Sequence, residues 1–384
     1  MIQAIRIAIV ALALCLCACS KVDENLKPVD LVKFEASVSL KKRWSQSIGA
    51  GHDRFYNRFR VALQGDRLFA ADDKGGVFAL NASNGKVVWK THLDTAIGGA
   101  VGASPSSVLV GTLKGEVIAL DASNGKERWR VKTTSSLVTP PQGTDSTVIA
   151  LTNDNRLFAF DALTGKQLWT YDHSMPVLTY RTQATPVIVD DQVFIGFDNG
   201  QLLSFALADG QLRWSTRVAQ PKGRTELNRM VDVDSTPIVD GPFVYAGSAN
   251  GRLVAINRST GRISWGQNLS TLFDIAKSGE QIFASADDSH VLAFNAASGE
   301  PAWENKQLHR RNISAPGVLG EYVVVIDDDD YLHLLNQKDG SFAGRMKPSG
   351  SGFHAPMLTL EDSIVLFGDD GTLSAYSLQP LKGK

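Results

Sequence analysis

The residues best suited to chemistry are seven histidines and several clustered carboxylates. His52, His92, His173, His290, His309, His333 and His354 lie singly along the chain. There is no His-Glu-x-x-His pair, no Gly-x-Ser-x-Gly elbow and no phosphate loop, so the usual metal, nucleophile and nucleotide constellations are missing. Each histidine therefore reads as a surface or turn residue. The run Asp327 to Asp330 raises the question of a cation site. It falls where equivalent stretches carry Asp-Asn-Gly or Asp-Asp-Gly, and no oxygen cage is evident, so it reads as a solvated turn. No catalytic residue, metal or cofactor is expected. Asp232 and Asp234 are different in kind: in an extended segment they share one side, with Val233 opposite. They can meet basic groups on a partner, or cap backbone amides within the chain. Leu178, Tyr180 and Arg181 form a second candidate group, because Tyr and Arg are frequent interface hot spots.

The bulk composition permits a large soluble core. The chain has 384 residues, 43% of them hydrophobic and 21% charged, with a net charge of -1. That balance offers no basic excess for nucleic acid. Arg6 is followed by an apolar run, Ile7 to Leu16, too short to span a bilayer, as in an export signal. The run leads into Leu16-Cys17-Ala18-Cys19, which resembles the lipobox of bacterial lipoproteins. That resemblance implies cleavage after residue 18 and a lipid on the Cys19 thiol. Cys15 and Cys17 would be lost with residues 1–18, leaving no thiol pair for a disulfide or a cysteine metal site. Ser20 after the lipidated position is similar to outer-membrane sorting signals, which implies an outer-membrane lipoprotein facing the periplasm. Residues 19–40 read as a polar, flexible tether.

The elements that must position these groups come from a repeat. GVFALNASNGKVVW, Gly76 to Trp89, recurs in copies ending at Trp129, Trp169, Trp214, Trp265 and Trp303. The intervals are 40, 40, 45, 51 and 38 residues, a period that fits propeller blades. In each copy an alternating strand leads to an Asn/Asp and Gly hairpin, then to a strand ending in Trp, a plug between blades. Stretches such as Thr185 to Val189 and Val193 to Gly196 supply two inner strands. A decayed copy ends at Gly344, and a last one, from Gly371, stops before any Trp. The missing outer strand stands at the front, around Trp44. The expected fold is therefore all-β: an eight-bladed β-propeller of four-stranded antiparallel blades over residues 41–379. Its ring is closed by pairing N- and C-terminal strands, and 380–384 form a tail.

Loop lengths point to one region. Thr139-Pro140, Thr185-Pro186 and Thr236-Pro237 open inner strands 10, 16 and 22 residues after the preceding Trp. Lengthening insertions on consecutive blades emerge side by side, the usual place for binding on a rigid scaffold. They carry Leu178, Tyr180 and Arg181 on one loop and Asp232 and Asp234 on the next.

Two family resemblances bear on function. The Ala-Leu-Asp-Ala-x-x-Gly-Lys-x-x-x-Trp unit is similar to the repeat of pyrroloquinoline-quinone dehydrogenases, which implies the fold but not their chemistry. A quinoprotein-like periplasmic enzyme is the competing reading, and binding of quinone with calcium would distinguish it. The lipobox, the eight copies, the stretch Gly223 to Pro237 and Leu308-His309-Arg310-Arg311 resemble the BamB family of outer-membrane assembly factors. That resemblance implies a non-enzymatic lipoprotein of the β-barrel assembly machinery. It implies binding to the POTRA domains of the BamA barrel subunit, indirect association with the other assembly-complex lipoproteins, and help in delivering unfolded outer-membrane proteins. It also implies that Leu178, Tyr180, Arg181, Asp232 and Asp234 lie on the docking surface.

Overall fold

The computed structural model describes residues 27–51, 59–176, 178–180 and 183–381. Cys19, the signal segment and Arg181 lie outside them. Eight four-stranded antiparallel sheets form the blades of a propeller. Blade one is representative: Ala62–Gln64, Arg67–Ala71, Gly76–Asn81 and Val87–His92, from the axis outward. Its second and third strands are buried on both faces, because each blade is sandwiched between two others. The outer strand is buried only at Trp89.

The eighth blade is assembled from both chain ends. Leu358–Thr359, Ile364–Phe367 and Thr372–Pro380 form its inner three strands, and Val38–Ser47 completes it. Trp44 pairs with Ala375 in this ladder, and Val38 with Pro380. The expected ring closure is thus observed. The first strand opens at Val38, three residues ahead of the expected boundary.

Each tryptophan joins its blade to the next through two contacts. Trp89 Nε1 donates to the Ala122 carbonyl at 3.0 Å. Its ring also lies against Gly125, where an added Cβ would come within 2.5 Å of the indole. Trp44, Trp129, Trp169, Trp214, Trp265 and Trp303 repeat the arrangement on the following hairpin. The hairpin glycine therefore serves twice. It takes the positive φ of the turn, +72° at Gly125, and leaves room for the ring. Gly344 occupies the eighth tryptophan position and has a structural reason. The following blade offers no hairpin there, only the incoming N-terminal strand. A Cβ on Gly344 would lie 2.5 Å from the Val38 carbonyl oxygen.

The stretch expected to be flexible tether is ordered in its second half. Val29 donates its amide to the His309 carbonyl, and Arg311 and Arg345 donate to the carbonyls of Val29 and Val32. Phe34 stacks on Phe342 at 5.3 Å between ring centres, and Ser37 bonds to Ala343. Residues 29–37 thus form a strap along the outer edge of blade seven.

The readings of Asp327 as a solvated residue and of His333 as a surface or turn residue are corrected: His333 is fully buried in the strand Leu332–Asn336. The Asp327 carboxylate is buried, 2.7 Å from Arg311 Nε and 3.0 Å from His333 Nε2. Arg345 Nε donates to His333 Nδ1, so the buried imidazole carries its proton on Nε2 and donates to Asp327. Burial pushes Asp327 up, but the bonds from His333 and Arg311 hold it below the ordinary carboxylate range. Sequence alone missed this because Arg311 arrives from the preceding interblade loop.

Candidate partner-binding surface

In this topology the loops between blades share one face with the turns between second and third strands. Two long interblade loops, 173–186 and 218–237, meet on that face. Tyr180 donates its amide to Asp232 Oδ2 at 2.6 Å. The Tyr180 hydroxyl accepts from Asn250 Nδ2 at 3.2 Å, and the same amide nitrogen donates to the Met230 carbonyl. Asn250 sits in a turn of blade five with φ +46°, which directs its side chain under both loops. The two loops are therefore cross-linked by polar contacts beneath their surface.

The expectation that Asp232 and Asp234 present their carboxylates to a partner is not what the geometry gives. Both side chains are buried. The segment is held down by Val233 N–H bonding to the Phe197 carbonyl and Ala249 N–H bonding to the Asp232 carbonyl. The alternation places the two carboxylates together, as expected, but on the inner side. There they approach Asp198 of blade four, with one oxygen from each residue lying within 4.8 Å of the others. Burial, with the Asp232 charge beside it, pushes Asp198 up to about 7. Burial pushes Asp232 up to about 6 against the opposing bond from Tyr180. Asp198 and Asn250 escaped sequence reasoning because each sits in an Asx-Gly type turn that looks purely local.

The exposed residues of the two loops include charged groups, Lys222, Arg224, Glu226 and Arg229, as well as apolar ones. Leu178 is 47% exposed, and Met175 and Leu227 are exposed as well. Leu227 lies on a short 3-10 turn, Leu227–Arg229. Between the loops runs a groove lined by Met175, Pro176, Arg217, Pro221, Arg229 and Met230. Exposed apolar residues grouped around a groove with cationic edges are suited to protein contact. At the centre of the ring, Arg60 before blade one reaches Asp274 before blade six at 2.6 Å, and Thr236 at 2.8 Å. The axis is therefore spanned by an ion pair.

The family model described as outer membrane protein assembly factor BamB matches residues 37–104, 93–305 and 288–382. The chain belongs to the BamB family. A family member from Pseudomonas aeruginosa is 44% identical over 360 residues, 94% of this chain and 95% of that protein. The BamB of Escherichia coli is 33% identical, with 93% of each chain covered. The crystal structure of BamB from Moraxella catarrhalis superposes with a TM-score of 0.81 at 28% identity, covering 88% of this chain and all of that one. A europium-containing methanol dehydrogenase superposes at 0.72 with 14% identity over 88% of this chain and 93% of that one, a likeness of fold alone. The BamB family therefore accounts for the repeat that also resembles the quinoprotein enzymes.

Proposed function

We propose that the chain is a non-catalytic scaffold lipoprotein of the outer-membrane β-barrel assembly complex. In this reading Cys19 carries the lipid and the propeller faces the periplasm. The face bearing Leu178, Tyr180 and Arg181 docks on the POTRA domains of BamA, which assists delivery and insertion of unfolded outer-membrane proteins. The other assembly-complex lipoproteins associate indirectly. The observation that carries the reading is the pair of cross-linked interblade loops with Leu178, Met175 and Leu227 outward. Such a surface is held rigid before binding, which lowers the ordering cost of association. Asp232 and Asp234 enter as positioning residues beneath the loops.

The test is co-purification of BamA with two variants. Leu178→Asp should leave melting unchanged and abolish capture, since a charge is placed in the apolar contact. Asp232→Ala should loosen the Tyr180 loop and weaken capture together with local protection from proteolysis. Full capture by a folded Leu178→Asp protein would overturn the docking surface.

A further inference from the structure

His290 and His309 belong to different segments, the turn after the second strand of blade six and the loop leading to blade seven. The fold brings them together, with His290 Nε2 3.2 Å from His309 Nδ1. Asp288 completes a trio in which one ligand atom from each residue lies within 4.8 Å of the others; its Oδ1 accepts from the His290 amide and its Oδ2 lies 3.4 Å from His290 Nδ1, so this exposed carboxylate rotates to join Nε2 in a metal shell. We infer that Asp288, His290 and His309 form a binding site for a borderline divalent transition metal, Zn2+ being the type ion.

Three features carry the inference. Zn–N bonds of about 2.0–2.1 Å in a tetrahedron place neighbouring ligand atoms roughly 3.3 Å apart, and the imidazole pair already has that spacing. Glu304 accepts from His290 Nδ1 at 2.8 Å, which directs the Nε2 lone pair toward His309. A carboxylate behind a ligating histidine is the usual second support of a zinc ligand. The two segments are also held in place independently of the three proposed ligand side chains. Arg310 N–H bonds to the Asp288 carbonyl, and Asn312 N–H to Ser289 Oγ. Ser289 and Arg310 take φ values of +69° and +58°, conformations that L residues hold only under local constraint.

Two imidazole nitrogens with one carboxylate favour zinc over magnesium or calcium, which prefer all-oxygen shells. In the metal-free network His309 Nδ1 donates to His290 Nε2, while Arg310 Nε donates to His309 Nε2. Binding moves the His309 proton to Nε2 and requires Arg310, which is exposed, to swing aside. Lys306 already pairs with Glu304 on its outer side. Water completes the shell.

The experiment uses the full propeller, stripped with EDTA and titrated with ZnCl2 by calorimetry in competition with a chromophoric chelator. One zinc per chain is expected, with no response to MgCl2 or CaCl2. His309→Ala and His290→Ala should each weaken binding at least tenfold, and His92→Ala should not. Asp288→Asn, an exposed change that leaves the fold intact, should weaken it as well. Anomalous scattering from zinc between His290 and His309 would support the site directly. No zinc uptake by the unaltered protein, or uptake unchanged in a His290→Ala/His309→Ala chain, overturns it.

Discussion

Asp198 and Asp232 give the molecule a pH signature. Their carboxyls are pushed up to about 7 and about 6 by burial, against roughly 4 in an unfolded chain. A folded carboxyl with a raised pKa binds its proton more tightly than the unfolded one. Its contribution is therefore fully present below the unfolded value and is lost as pH rises through 6 and 7. Asp198→Asn should raise the melting temperature by a few degrees at pH 8 and change it little at pH 4.5. A variant that melts lower at pH 8 would mean that the charged carboxylate is stabilised there. The pairing of Asp232 with Asp234 was legible, because strand alternation fixes which side chains share a side. Which side meets solvent was not legible. That depends on the second-to-third-strand turns of blades four and five, to which the segment is bonded through Phe197 and Ala249. The histidines show the same division: His290 and His309 are 19 residues apart and meet only through the fold.

At the level of elements, the blade was readable because one solution to packing is repeated. An indole on each outer strand needs a carbonyl and a glycine on the next hairpin, so Trp and Gly recur together. The departure at Gly344 could be seen in sequence, but its cause could not, since Val38 lies more than 300 positions away. This yields an expectation contrary to repeat consensus. Gly344→Trp restores the pattern yet should destabilise, because its Cβ would press on the Val38 backbone; overpacking typically costs about 1–3 kcal/mol. Calorimetric melting should fall. A rise would mean that the N-terminal strand can shift to admit a ring. Trp44→Ala, in contrast, removes a ring that has its hairpin, and should cost about 3–5 kcal/mol.

For the whole molecule, closure of the ring depends on two strands more than 300 positions apart in sequence. A chain ending at Gly368 lacks Thr372–Pro380, and the strand Val38–Ser47 loses its pairing partner. Such a chain should be cleaved rapidly by protease under conditions in which the full chain resists. Equal resistance would show that seven blades hold the ring unaided. The ladder that closes the ring also has a mechanical direction. Val38 pairs with Pro380, so the two termini leave the ladder at the same end. Tension between them would open it one rung at a time, the weakest way to load a sheet. The strap changes where that tension falls. A pull on residue 27 meets Val29, Val32 and Phe34 along blade seven before it reaches Val38. The load is then spread in shear over several contacts at once. For the anchoring through Cys19 proposed above, this strap is strain relief of the kind fitted to a cable where it enters its plug.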